Sequence, residues 1–290
     1  MRILKSVFLS VLFLFLLIPF LSYANERNVE VTIQFNLNAP EDSKDVRLWI
    51  PYPVSDKNQS IEDVKVVGNF SGSGVYREGM YGNMAIYAEW NNASKEKVFM
   101  YTFKVKRKEV AKKEFPKKDL SFSKEEFKDY LNATSLGPTT GKVKELGEKI
   151  TKGKKTNIEK ARAIYDWIVN HMYRDPNIKG CGFGDVEKLL MSNGGKCADI
   201  HSVFVALSRS IGVPAREIFG IRIPKGREGD MTKAQHCWAE FYMPGYGWVP
   251  VDPADVRKAM LEKNIRDVKE VEDIIEYFFG AVDESRIAYQ

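Results

Sequence analysis

Three side chains in the second half of the chain carry the atom types that covalent carbonyl chemistry requires. Cys197 follows Gly194-Gly195-Lys196, His236 precedes Cys237-Trp238, and Asp252 ends the run Trp248-Val249-Pro250-Val251 just before Pro253. A cysteine attacks as its thiolate, so a base must stand within reach. That base needs a third group to hold its tautomer and orientation. A thiol, an imidazole and a carboxylate supply all three parts. With 3 Cys and 3 His in the whole chain, few other assignments compete.

The elements that must position these groups are legible. The two glycines form a turn, and Cys197 opens a helix whose buried stripe is Ile200, Phe204, Leu207 and Ile211, stopped by Gly212 and Pro214. A helix N-terminus carries partial positive charge and unpaired N–H groups. Both favour a thiolate, and the N–H groups can receive an oxyanion. Strands are expected at Arg216–Ile223, His236–Met243 and Trp248–Val251. In the second of these, alternation puts His236, Trp238, Glu240 and Tyr242 on one face and Cys237, Ala239, Phe241 and Met243 on the other. The second face is core-like, so Cys237 reads as a buried small hydrophobe pointing away from His236. Asp252 shares a face with His236 only if the connecting loop has an odd number of residues, as in a pairing of Tyr242 with Trp248 across Met243–Gly247. An even loop without a bulge would separate the two. Asp199 and His201 lie in the first helical turns. With Trp238 and Glu240 they are candidate wall residues of the site, and helix capping is the competing role for Asp199 and His201.

The rest of the chain sets the context. Arg2 and Lys5 precede an apolar run from Val7 to Leu21, and Ser22-Tyr23-Ala24 offers a cleavage site. That is the pattern of a secretory signal peptide over 1–24, interrupted by Pro19 and short for a membrane span. The mature protein is then expected to be exported, periplasmic or extracellular, without a stable membrane anchor. The 44 Lys and Arg against 39 Asp and Glu are close to balanced and argue for no polyanionic partner, nucleic acid included. Three cysteines leave at least one thiol free or paired between molecules, and Cys181–Cys237 is the disulfide that would spare Cys197. Residues 25–110 read as an all-β, sandwich-like module, with alternation at Val29–Leu37, Val46–Ile50, Met84–Trp90 and Val98–Val105. The glycine-bearing stretch Asn69–Gly82 reads as a loop. Residues 111–150 form a linker and helical lead-in. Over 151–290 helices come first and strands later, an α+β arrangement. Its first helix is announced by Thr156-Asn157-Ile158-Glu159, a capping box ahead of Ala161, Tyr165, Ile168 and Met172. A short helix is expected at Asp185–Met191 and an acidic one near Val271–Tyr277.

At these residues the chain resembles the transglutaminase-like superfamily of papain-like cysteine enzymes, in its exported prokaryotic branch. The resemblance runs through Trp167, Gly194-Gly195-Lys196-Cys197-Ala198-Asp199-Ile200-His201, Gly212-Val213-Pro214-Ala215-Arg216, His236-Cys237-Trp238-Ala239-Glu240-Phe241 and Gly247-Trp248-Val249-Pro250-Val251-Asp252. Val46-Arg47-Leu48-Trp49-Ile50-Pro51 is similar to the β-module that precedes such cores. The resemblance implies a papain-like core of helices packed on an antiparallel sheet. It also implies Cys197 as nucleophile, His236 as base and acid, and Asp252 as the group orienting His236. Animal members hold the oxyanion with a tryptophan upstream of the nucleophile. None stands between Trp167 and Cys197, so the second oxyanion donor has no candidate. The ending Ser285–Gln290 reads as the start of a strand.

The expected function is acyl transfer from an amide or peptide bond through a thioester, as peptidase, amidase or transamidase, on peptide, protein or cell-wall material and without a cofactor. Two other readings stand beside it. One is a zinc site built from Cys197, His201 and His236; the other is a binding or scaffold protein with a vestigial triad.

Overall fold

A computed structural model describes residues 25–40, 43–91 and 96–289. The signal-peptide stretch lies outside them. The N-terminal part is six strands: β1 (Glu26–Asn38), β2 (Val46–Pro51), β3 (Gln59–Gly68), β4 (Gly72–Arg77), β5 (Met84–Trp90) and β6 (Glu96–Lys108). They form two three-stranded antiparallel sheets, ordered β1-β6-β3 and β2-β5-β4. Alternation buries one face of each, and Val31, Ile50, Ile86, Trp90, Phe99 and Tyr101 from both sheets share one core. The stretch expected as a loop, Asn69–Gly82, holds β4, which pairs with β5 along its whole length. Glycine weakens strand propensity, but the ladder to β5 supplies the backbone bonds, and Gly72 lies where a Cβ would press on the Glu89 side chain.

A short β7 (Val110–Ala111) leads into the second part, where α1 (Gly141–Ile150) and α2 (Asn157–His171) come first. The capping box of α2 is formed: Glu159 N–H donates to Thr156 Oγ1 at 3.3 Å and Thr156 N–H to Glu159 Oε2 at 2.9 Å. Next are β8 (Tyr173–Arg174), α3 (Val186–Ser192), β9 (Gly194–Gly195) and α4 (Cys197–Ser210). Helix α4 is the central beam, with Ile200, Phe204 and Leu207 fully buried as their spacing predicts. It packs on a sheet ordered β12-β11-β10-β14, in which β10 is Ala215–Arg222, β11 Gln235–Met243, β12 Gly247–Val251 and β14 Arg286–Ala288. Between β12 and β14 run α5 (Pro253–Glu262), α6 (Glu272–Phe278) and β13 (Ala281–Val282), which pairs with β7.

The two parts are stitched together. Ile287 and Tyr289 enter the core of the N-terminal sandwich, and the Gln59 side chain donates to the Ala288 carbonyl at 2.9 Å. All three cysteines are free thiols, so the Cys181–Cys237 bridge is not formed. Among the described residues no helix is long and apolar enough to cross a membrane.

Candidate active site

Cys197 is the first residue of α4, placed there by an unusual loop. Asp199, two residues on, accepts from the N–H groups of Phe183 (2.8 Å) and Gly184 (2.9 Å) on Oδ1 and of Lys196 (3.0 Å) on Oδ2. Its carboxylate therefore caps the helix and ties the Cys181–Gly184 loop to the helix start. Gly182, at φ +99°, and Gly195 allow this approach, because a Cβ on either would collide with the Asp199 side chain. Ala198 N–H donates to the Cys181 carbonyl at 2.9 Å. Asp199 is thus a strut behind the site, and the capping role is the one it fills.

His236 is the second residue of β11, and Asp252 follows β12 as the N-cap of α5. The β11–β12 register pairs Tyr242 with Trp248 and Met243 with Gly247, leaving the three-residue turn 244–246. That odd count keeps Asp252 on the face of His236, and His236 Nε2 donates to Asp252 Oδ2 at 2.8 Å. The other oxygen, Oδ1, accepts from Asp255 N–H at 2.9 Å, so one carboxylate both caps a helix and orients the imidazole. With Nε2 committed, Nδ1 is the nitrogen left for Cys197. The three residues are nearly or completely buried, at 2%, 5% and 0% exposure for Cys197, His236 and Asp252.

The electrostatics favour a thiolate–imidazolium pair. Hydrogen bonds from the Cys181 and Cys237 thiols and from His236 outweigh burial and pull the Cys197 thiol well below its ordinary range. The half-buried Cys181 and the buried Cys237, each hydrogen-bonded to that sulfur, are pushed up. Burial opposes protonation of His236, but the Asp252 and Asp255 carboxylates prevail and raise it above an ordinary imidazole. Burial would likewise raise Asp252; His236, His201 and Arg286 instead hold it well below the usual carboxylate range.

Several members of this network had no local sequence signal. Arg286, 1% exposed, bonds Asp255 and lies 3.4 Å from Asp252 Oδ2, and Arg222 donates to both Asp255 oxygens at 2.7 Å. Asp255 follows Asp252 by three residues, the spacing at which a cap meets the first turn. The arginines come from distant strands. Other expectations need correction. Cys237 is on the core face as alternation requires, but the first turns of α4 cover that face, so its thiol reaches Cys197 and lies 3.6 Å from His201 Nδ1. It forms the floor of the site and does not merely fill the core. His201 is fully buried, with Nε2 3.3 Å from Asp252 Oδ1, and so it sits beneath the site as an inner support. Trp238 and Glu240 share the parity of His236 but lie further along β11, where they line a cavity that includes none of Cys197, His236 and Asp252. Glu240 is held there by Arg216 at 2.9 Å. The zinc set is not assembled: among the described residues the groups close enough to hold an ion are His201–Glu217–Cys237 and His236–Asp252–Asp255, neither containing Cys197.

Beside the start of α4 is a cleft of about 460 Å³, lined by Gly182 and Ala198, by Ser202 and Glu217, and by Tyr81 and Tyr130. Burial pushes the Glu217 carboxyl up to about 7, against the pull of His201 and of hydrogen bonds from Cys237 and Ser202. Between an unfolded value of 4.5 and about 7 the folded chain binds more proton here than the unfolded chain, so this group lowers stability as pH rises through that window. Glu217→Gln should therefore raise the melting temperature relative to the parent at pH 8 and much less at pH 4. The stabilisation has an upper bound of about 3 kcal/mol. Parallel thermal melts at the two pH values check this, and an equal effect at both would contradict the assignment.

The Transglutaminase-like superfamily profile matches residues 144–253, a span that contains Cys197, His236 and Asp252. An uncharacterized protein of Haemophilus influenzae is 39% identical over 280 residues, covering 87% of this chain and 75% of that protein. The uncharacterized protein YebA of Bacillus subtilis is 25% identical over 126 residues, 39% of this chain and 17% of its own. Among solved structures, a candidate cysteine protease from Cytophaga hutchinsonii superposes with a TM-score of 0.57 at 18% identity, covering 80% of this chain and 78% of that one. That likeness is one of fold.

Proposed function

Because the chain belongs to the transglutaminase-like superfamily, we propose that it is a cysteine enzyme that cleaves amide or peptide bonds through a thioester. The observation that carries this reading is the 2.8 Å contact of His236 Nε2 with Asp252 Oδ2 beside a helix-start thiol whose surroundings favour the thiolate. Cys197 Sγ attacks the carbonyl carbon, and the negative charge that develops on the oxygen is received by the Cys197 N–H at the start of α4. His236 Nδ1 then gives its proton to the departing nitrogen, the C–N bond breaks, and an acyl thioester remains on Cys197. The neutral imidazole takes a proton from the acceptor as that acceptor attacks the thioester. Asp252 keeps the ring aligned throughout and stabilises its charged form.

Water is the acceptor in this reading, which makes the enzyme a peptidase or amidase; an amine in its place would make it a transamidase. The substrate class is peptide, protein or cell-wall amide. The basic and apolar order of residues 1–24 supports action outside the cytoplasm. Incubation of the protein with peptide libraries, with and without a primary amine, tests the acceptor by mass spectrometry. Cleaved or deamidated products are expected in both samples. Amine-conjugated products at the expense of hydrolysis would replace water by the amine, and unchanged libraries in both would refute acyl transfer.

A further inference from the structure

A second cavity, of about 260 Å³, lies between the N-terminal sandwich and the face of the four-stranded sheet opposite α4. Its wall includes Arg107, Lys112, Ile218, Trp238 and Trp248. Alternation along β6 places Arg107 in the buried row of Phe99, Tyr101, Phe103 and Val105, at the end where that row meets the second half of the chain. Arg107 is 2% exposed, yet its Nε has no hydrogen-bond partner. Asp56 and Glu240 act on the guanidinium through space and neither bonds it. Glu240 already accepts from Arg216 at 2.9 Å. Trp238 is likewise 2% exposed, and its indole N–H has no acceptor. Lys112 adds a further positive charge, its Nζ bonded only to the Tyr246 carbonyl at 3.3 Å.

A buried guanidinium without a bonded counter-charge and a buried indole donor without an acceptor are each costly in a folded protein. Both residues line the same cavity. An acceptor-only, negatively charged group placed there would satisfy both donors.

We propose that this cavity binds a small organic carboxylate. A carboxylate matches the planar fork of Arg107 and can accept from the Trp238 indole with its second oxygen. Its apolar body then lies against Ile218, Val282 and Trp248 on the remaining wall. A phosphate fits less well, because its second charge would meet Asp56 and Glu240 and it has no apolar part for that wall. The site is separate from Cys197, His236 and Asp252, so it stands independently of the acyl-transfer reading.

The test uses the whole protein with ¹⁵N-labelled tryptophan. Its 5 tryptophans give separate indole N–H signals, and Trp238→Phe identifies that of Trp238 by its loss. Titration with benzoate is expected to shift the Trp238 signal saturably. Benzyl alcohol, similar in shape and uncharged, should bind at least about tenfold more weakly, and Arg107→Gln should weaken benzoate by at least about tenfold. Absence of a saturable shift, or equal binding of the acid and the alcohol, would overturn the site. Inorganic phosphate displacing benzoate at lower concentration would overturn the carboxylate class. If Arg107→Gln does not fold, titration calorimetry of benzoate on Trp238→Phe takes its place; weaker binding is expected, and unchanged affinity counts against the proposal.

Discussion

Cys197→Ala is expected to lower turnover of an amide substrate by about 10⁴-fold or more and to abolish thioester formation, with the fold retained. The substitution removes one buried sulfur and leaves the backbone bonds at the helix start in place, including Ala198 N–H to the Cys181 carbonyl. Helical alanine at the first position of α4 costs little. The three-thiol cluster makes the measurement selective. The cluster pushes the Cys181 and Cys237 thiols up and pulls Cys197 down, so in mildly acidic solution Cys197 is the thiol expected to react as a thiolate. A short pulse of iodoacetamide at pH 6, read by intact mass, should add one label to the parent and none to the variant. Equal labelling of both, or turnover surviving in the variant, would remove Cys197 from its role.

The second large effect is expected from Asp252→Asn, with a loss of about 10³- to 10⁴-fold in kcat. Asparagine is as good an N-cap as aspartate, so the start of α5 survives and the change is mainly electrostatic. In the parent, Asp252 and Asp255 overcome the burial that disfavours the charged imidazole. Without the Asp252 charge that balance moves toward burial, and His236 gives up its proton at lower pH. The alkaline limb of the kcat/KM profile should therefore move toward acid. The buried Arg286 would also keep fewer counter-charges, with Asp255 and Asp283 remaining. A pH–rate profile and a thermal melt read both consequences. Activity within tenfold of the parent, with the alkaline limb unmoved, would show that Asp252 is only a helix cap.

The contrast between what was readable and what was not follows the range of the interactions. The α2 capping box, the buried stripe of α4 and the alternation of β11 all depend on residues within a few positions of one another. Periodicity therefore carried them into the structure intact. Counting along the chain showed that Asp252 could join His236 only across a loop of odd length, and the pairing of Tyr242 with Trp248 meets that condition. The site wall was harder to read. Strand parity says which way Trp238 and Glu240 point, but not how far along the strand the helix start reaches, so they were assigned to the cleft and belong to the other cavity. The same lack of depth information makes Cys237 read as filler, whereas its thiol meets that of Cys197. Arg286 bonds Asp255 from 31 residues away, and no local pattern encodes that contact.

By itself the sequence singled out Cys197, His236 and Asp252 as the candidate trio, the helix start that favours a thiolate, the α+β order of the core and the β-rich module before it. These follow from residue chemistry and from periods of two and about four residues. Tertiary structure alone decided which groups surround the trio: the Arg286–Asp255 pair behind Asp252, the thiols of Cys181 and Cys237 against Cys197, and the unpaired donors of Arg107 and Trp238 in a separate cavity. The physical reason is that charge and hydrogen bonding act through a few ångströms of space, and folding alone determines which distant residues come that close.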